Sequence, residues 1–326
     1  MKKALLVGTA LASVLLLAAC GSTPSTGTPD VDADADVPTM TKISIAETAG
    51  APSAFMQYGV NHGFFEAEGL DVTVDVAAGG AAAIPGVMGG NYQFAGSNAV
   101  SVILAASKGL PLTIISAGTR ADQTADKDFS AVLVSANSSI KVPTDLEGKT
   151  IAVNTLQNVS EITVRASLEN EGVDTSTIKF IELGFPDMLP ALAGGQVDAI
   201  MPIEPFVTNG IKSGDRAIVR PYVQSVAGLM VGTYVTTKDY LAKNPKIVAA
   251  FQRGVAATGA AIAKDPAAFR TELPTLIKIN AESAGVMNLP VWDSKVDMDS
   301  LEFFQKKMID YGMLAKEIDL GTLVAK

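Results

Sequence analysis

From Met40 onward, short β-branched and apolar runs alternate with helix-length amphipathic stretches, the pattern of a parallel sheet joined by crossover helices. The first unit predicts a strand over 43–46, a helix over 52–68, a strand over 72–76, a helix over 82–88 and a strand over 92–95. A second unit repeats that order, with a strand over 151–153, a helix over 160–171, a strand over 179–183, a helix over 186–193 and a strand over 197–200. The junctions match too. Glu68-Gly69-Leu70-Asp71 answers to Glu171-Gly172-Val173-Asp174, and Gly89-Gly90-Asn91-Tyr92 to Gly194-Gly195-Gln196-Val197, at an offset of about 105 residues. Each Gly after a first helix is placed as a C-terminal cap. Duplication accounts for this better than coincidence, and it predicts two α/β lobes of similar build. Open α/β sheets bind ligands beyond the C-terminal ends of their strands. Two such lobes facing each other make a cleft that can close by hinge motion.

The N-terminus departs from this pattern. Lys2 and Lys3 precede an apolar run from Ala4 to Ala19, which ends in Leu17-Ala18-Ala19-Cys20-Gly21. A basic start, a short apolar core and small residues before a cleavage point make a secretory signal. This sixteen-residue run falls short of the roughly 20 that a membrane span needs. The triplet before Cys20 resembles a bacterial lipobox, which implies a diacylglyceryl group on that thiol and a mature chain beginning there. Cys20 is the sole cysteine, so neither an intrachain disulfide nor a cysteine nucleophile is expected. Residues 21–39 are rich in Ser, Thr, Pro, Gly and Asp and read as a flexible tether. Asp30, Asp32, Asp34 and Asp36 lack the turn Gly and distal Glu of a calcium loop, so no metal and no cofactor is expected. A net charge of −9 argues against nucleic acid and against adhesion to anionic lipid. With 48% hydrophobic and 18% charged residues, the chain can bury large cores. Its length favours two domains.

Three segments carry a family resemblance. They are Ala51-Pro52-Ser53-Ala54-Phe55 with Gly63-Phe64-Phe65 and Glu68-Gly69-Leu70-Asp71-Val72; Asp145-Leu146-Glu147-Gly148-Lys149-Thr150-Ile151-Ala152-Val153; and Gly195-Gln196-Val197-Asp198-Ala199-Ile200 followed by Glu204-Pro205-Phe206. From about Thr41 to the C-terminus the chain resembles the extracytoplasmic substrate-binding proteins of ABC importers, in the branch for nitrate, sulfonate, taurine and thiamine-pyrimidine precursors. The resemblance implies the two-lobe periplasmic-binding-protein-like fold (type II), each lobe a mostly parallel sheet with flanking helices. It implies a chain that leaves lobe one, builds lobe two and returns, with crossings near 125–129 and 223–231. The expected organisation is a signal peptide over 1–19, lipidated Cys20 and linker over 20–40, lobe one over 41–126, lobe two over 127–224 and the return segment over 225–326. A monomer is expected, with an ABC permease and its ATPase as partner and the lipid as membrane anchor.

Ligand contacts are expected at strand ends and helix N-termini, where unpaired N–H groups favour acceptors. In lobe one that singles out 47–53. Pro52 suits a first helical position, and Thr48 and Ser53 offer hydroxyls, which ordinary helix capping would use equally well. Ser97 and Asn98 follow the 92–95 strand, where they can meet a ligand or cap the next helix. Asn154, Thr155 and Gln157 follow the 151–153 strand. Asn158 with Glu161 resembles a capping box. Glu204 follows the 197–201 strand, and a carboxylate in a closing cleft needs a donor or cation. Either the ligand supplies it, or Arg120 or another basic residue does in an interlobe salt bridge.

Phe206, Phe55 and Phe185 could stack on a ring or belong to the core. Trp292 has no assigned partner, and His62, the sole histidine, is expected at the surface or in packing. The expected function is capture of a small organic acid or sulfonate with a donor group. A pyrimidine ligand, a sensing role or an enzyme on the same fold are the alternatives, and the last has few nucleophilic or metal-binding candidates. Cys20→Ser is expected to move the protein from the membrane fraction to the soluble fraction on cell fractionation. Retention in the membrane fraction would rule out the lipid anchor.

Overall fold

The structure is a computed structural model that describes residues Met40–Ala325. The predicted signal segment, Cys20, the tether and its four aspartates lie outside the described residues. Sheet one contains β1 (Thr41–Thr48), β2 (Leu70–Ala77), β3 (Phe94–Asn98) and β4 (Leu112–Ala117), joined by α1 (Ala51–Asn61), α2 (Gly80–Met88) and α3 (Ala99–Ser107). A short strand, β5 (Thr119–Arg120), leads out of it. Sheet two contains β6 (Val132–Val134), β7 (Thr150–Val153), β8 (Lys179–Glu182), β9 (Ala199–Ile200) and β10 (Arg216–Val219), with α4 (Val159–Asn170), α5 (Phe185–Ala193), α6 (Phe206–Lys212) and α7 (Pro221–Ser225). The return segment contributes β11 (Gly232–Thr237), α8 (Lys238–Lys243), α9 (Pro245–Lys264), α10 (Pro266–Leu276), α11 (Ala281–Val286), β12 (Val291–Trp292) and α12 (Met298–Asp310).

Strand order is β2-β1-β3-β11-β4 in sheet one and, read in the matching direction, β8-β7-β9-β6-β10 in sheet two. In each, the first three strands are parallel and the fourth is antiparallel to both its neighbours. The repeat extends to details. α2 and α5 each carry an internal proline at their sixth residue, Pro85 and Pro190, and end on Gly89 and Gly194. The turns that follow the first helices use left-handed Gly69 and Gly172, with φ of 76° and 79°. Only glycine takes that conformation without strain.

Several boundaries differ from the sequence expectation. The first helix stops at Asn61 rather than running to Glu68, because left-handed Gly63 turns the chain before a short 3-10 turn at Glu66–Glu68. It also starts one residue earlier, on Ala51, so Pro52 sits second. The third strand begins at Phe94 and runs through Asn98, because Ser97 and Asn98 pair with Thr233 and Gly232, residues too distant in sequence for any local pattern to reveal.

One core cluster runs continuously from sheet one into sheet two, and a second lies under α1, α9 and α10. α9 buries Val248, Phe251, Val255 and Ile262, one stripe at helical spacing. Phe251 is the pin of this face. It stacks on Phe94 at 4.1 Å between centroids and meets Phe65 at 5.6 Å and Tyr234 at 5.7 Å. Phe251→Ala is expected to lower stability by about 3 to 5 kcal/mol, read as a drop in the urea midpoint. A loss below about 1 kcal/mol would mean that α9 is not fixed through this ring.

Candidate functional site

A cavity lies where the edges of the two sheets meet. Sheet one contributes Glu47 and Thr48 from the end of β1, Ser97 and Asn98 from the end of β3, and Thr233 and Tyr234 from the start of β11. Sheet two and its helices contribute Asn154 just past β7, Ile203 past β9 and Phe129 ahead of β6. The first turns of α1, α2, α4 and α5 also face it, through Pro52, Gly80, Val159 with Ser160, and Phe185. The two sides are close, since a Cβ on Gly79 would come within 2.6 Å of the Asn154 amide nitrogen. The cavity measures about 60 Å³ to the centres of water-sized molecules, room for roughly four to six waters.

The polar lining is distinctive. Glu47 Oε2, Ser97 Oγ and Thr233 Oγ1 are all buried, and none has a hydrogen-bond partner. Leaving such a group unsatisfied costs about 1 to 3 kcal/mol, so three around one cavity mark it as built to be filled. Glu47 is only 2% exposed. It can sit there because β3 offers Gly96 beside it, where a Cβ would lie 2.1 Å from Glu47 Oε1. The backbone N–H of Thr48 donates to Oε1 at 2.7 Å, and the Tyr234 phenol lies alongside. Burial nevertheless raises the Glu47 pKa to about 7, against the opposing pull of Thr48 and Tyr234. Tyr234 in turn is raised well above the usual phenol range, by burial first and by the neighbouring carboxylate second. Among the described residues, no Lys, Arg or His lines the cavity.

Of the residues singled out from sequence, Thr48, Ser97, Asn98 and Asn154 are brought together on this lining. Asn98 also caps α3, accepting from Ser101 N–H at 2.9 Å. The Asn154 carbonyl accepts from Asn158 Nδ2 and Ser160 Oγ, both at 2.9 Å, which leaves its amide nitrogen toward Gly79. Ser53, Thr155, Gln157, Glu204 and Phe206 do not line the cavity. Ser53 Oγ donates to the Gly50 carbonyl at 2.9 Å, and Gln157 occupies a turn with φ of 52° while its N–H donates to Glu161. Asn158 accepts from Ser160 and Glu161 N–H as the helix cap. Phe206 stacks on Phe185 with centroids 6.3 Å apart, and of the two only Phe185 reaches the cavity. Phe55 stacks on Trp292 at 5.1 Å in the core under α1.

Glu204 is 2% exposed, and its carboxylate is fully engaged. It accepts from the Thr208 N–H at 2.9 Å, the Thr208 hydroxyl at 2.8 Å and the Asn288 N–H at 3.1 Å, while its carbonyl accepts from Ala51 N–H at 3.1 Å. The donor that sequence reasoning required is thus internal, and it is not Arg120. That side chain donates to the Gly228 carbonyl and lies 3.5 Å from Asp297. His62 pairs with Glu272 at 2.8 Å, on α10 and away from the cavity. Among the described residues, no cluster of three or more His, Cys, Asp or Glu is placed to hold a metal ion.

Residues 52–269 match the profile of the family described as NMT1/THI5 like. The chain belongs to that family. No curated protein matches it. Solved structures share its fold at low identity. The alkanesulfonate-binding protein SsuA from Xanthomonas axonopodis pv. citri, bound to MOPS, is 16% identical, covering 87% of this chain and 98% of its own, with a TM-score of 0.75. The periplasmic aliphatic sulphonate binding protein SsuA from Escherichia coli is 17% identical, covering 87% and 97%, with a TM-score of 0.71. The desulfurization enzyme DSZB is 14% identical, covering 87% and 96%, with a TM-score of 0.60. The fold is therefore the two-lobe binding-protein fold expected from the sequence.

Sequence reasoning reached the stretch beginning at Glu47 but chose Thr48 and Ser53 within it. The signal it passed over was a carboxylate following the apolar pair Ile45-Ala46 near the end of an inner strand. Thr233, Tyr234, Phe129 and Tyr222 carry no local signal, since they reach the cavity only through the crossing chain. Because the folded Glu47 binds its proton more tightly than the unfolded one, its contribution to stability is full below about pH 4.5 and is lost as pH rises to about 7. Glu47→Gln is expected to be more stable than the parent at pH 8 by about 3 kcal/mol, and level with it near pH 4. Equal stability at both pH values in denaturant titrations would show that Glu47 is not held in a desolvated site.

Proposed function

We propose that this chain is a solute-binding lipoprotein that captures a small organic solute between its two sheets and delivers it to an ABC permease. The observation that carries the reading is the set of three buried, unpartnered oxygens around a cavity shared by both sheets. Family membership and a fold shared with two sulfonate-binding proteins support it. The first turns of α1, α2, α4 and α5 bring the positive ends of four helix dipoles to the cavity, which suits an acid group without any lining cation. The unpartnered oxygens suit a donor elsewhere on the same molecule. The ligand class is thus an organic acid or sulfonate that also carries a donor group.

Residues 41–126 with 225–326 would form one lobe and 127–224 the other. The two crossings would absorb the hinge motion, since a few backbone dihedrals suffice. The lipid on Cys20 would hold the protein at the outer face of the cell membrane. A pyrimidine-type ligand is the second reading, favoured by the four rings of Phe129, Phe185, Tyr222 and Tyr234 on the lining. Catalysis is not part of the proposal, although DSZB is an enzyme of similar fold. The one histidine is committed to Glu272, and the lining offers hydroxyls and a carboxyl but no activated nucleophile.

A thermal-shift screen of residues 21–326 against organic acids, sulfonates, nitrate, pyrimidines and amines tests this. A ligand at about 100 times its Kd adds roughly 2.7 kcal/mol of stability, a clear rise in Tm. Response to one class supports capture of that class, and silence across the panel counts against solute binding.

A further inference from the structure

Among the described residues, Glu47 is the only carboxylic acid on the cavity wall, and its Oε2 is buried without a hydrogen-bond partner. Among the described residues, no Lys, Arg or His lines the cavity to neutralise it. From β11 the Tyr234 phenol faces it, and its raised pKa keeps that group neutral. From β3 it meets Gly96, and from α1 the lining residue is Pro52, neither of which titrates. Glu204, the other deeply buried glutamate described above, has three donors for its carboxylate, so an unpartnered carboxylate oxygen is not how this fold treats buried acids in general.

We propose that Glu47 selects ligands that carry a protonated amine, receiving the ammonium through its unpartnered Oε2. The proposal deepens the solute-binding reading and rests on it. An ammonium offers N–H donors and a full countercharge in one group, which a neutral hydroxyl does not. Phe129, Phe185, Tyr222 and Tyr234 also line the cavity, and an aromatic ring face attracts a cation. The helix N-termini across the cavity would meet the acid end of the same small molecule. An anion without an amine would bring a negative charge beside Glu47 with no cation to separate the two, so the site would reject it.

Proton linkage follows from the same geometry. In the free protein Glu47 is partly protonated near neutral pH, and it must lose that proton to receive an ammonium. Apparent affinity for an amine ligand should therefore be flat above about pH 8 and weaken about tenfold per pH unit well below pH 7. A protonated Glu47 donating to an acid or carbonyl would give the opposite slope.

The test uses β-alanine, propionate and propylamine as probes, followed by calorimetry from pH 5.5 to 8.5 on the parent and on Glu47→Gln. The expected result is that β-alanine binds at least tenfold more tightly than propionate, with affinity falling on acidification and protons released on binding. In Glu47→Gln both the preference and the pH slope should disappear. Equal or tighter binding of propionate overturns the proposal, as does affinity that rises on acidification. Silence from all three probes also overturns it. In that case a response from another class in the wider panel leaves solute capture standing, and silence there removes both.

Discussion

Each sheet is completed by a strand that arrives from the other side of the molecule, and the rest of the architecture follows from that constraint. β6 enters sheet two directly after the chain leaves sheet one, and β11 enters sheet one directly after the chain leaves sheet two. Both run antiparallel to their neighbours, so their first residues lie at the same edge as the last residues of the parallel strands. That edge is where open α/β sheets present their ligands. Phe129, ahead of β6, and Thr233 and Tyr234, in β11, reach the cavity for this reason alone. The crossings are also bound to each other. Asp128, in the first, accepts from the Val223 N–H at 2.8 Å near the second, and Asn288 reaches the carbonyls of Asp126 and Asp128 as well as Glu204.

The two buried glutamates Glu47 and Glu204 show how the same physics serves opposite ends. Both are almost wholly removed from water, and burial raises the pKa of each. Glu204 recovers much of its desolvation cost from Thr208 and Asn288, and so ties α6 to the return segment. Glu47 recovers less, with the Thr48 N–H on Oε1, the Tyr234 phenol beside the carboxylate and no partner on Oε2. A carboxylate oxygen left without a protein donor is available to a ligand. Gly96 makes this possible by leaving the carboxylate the volume that any side chain would occupy.

Much was legible in the sequence because it depends on local physics. Hydrophobic period, glycine at helix ends and the paired junctions determined the alternation of strands and helices, the duplication and the α/β class. Strand-end signals also singled out Thr48, Ser97, Asn98 and Asn154, which the structure brings onto one lining, although Ser97 and Asn98 belong to β3 itself and do not follow it. Tertiary structure decided what those residues meet. Which glutamate has free lone pairs depends on Asn288, more than eighty positions beyond Glu204, and on a glycine in a neighbouring strand beside Glu47. The length of β3 depends on pairing with β11, and the cavity's four rings come from four separate parts of the chain. Local sequence encodes the period of an element and the chemistry at its ends. Desolvation and hydrogen-bond satisfaction are sums over neighbours in space, and these exist only once the chain has crossed twice between its sheets.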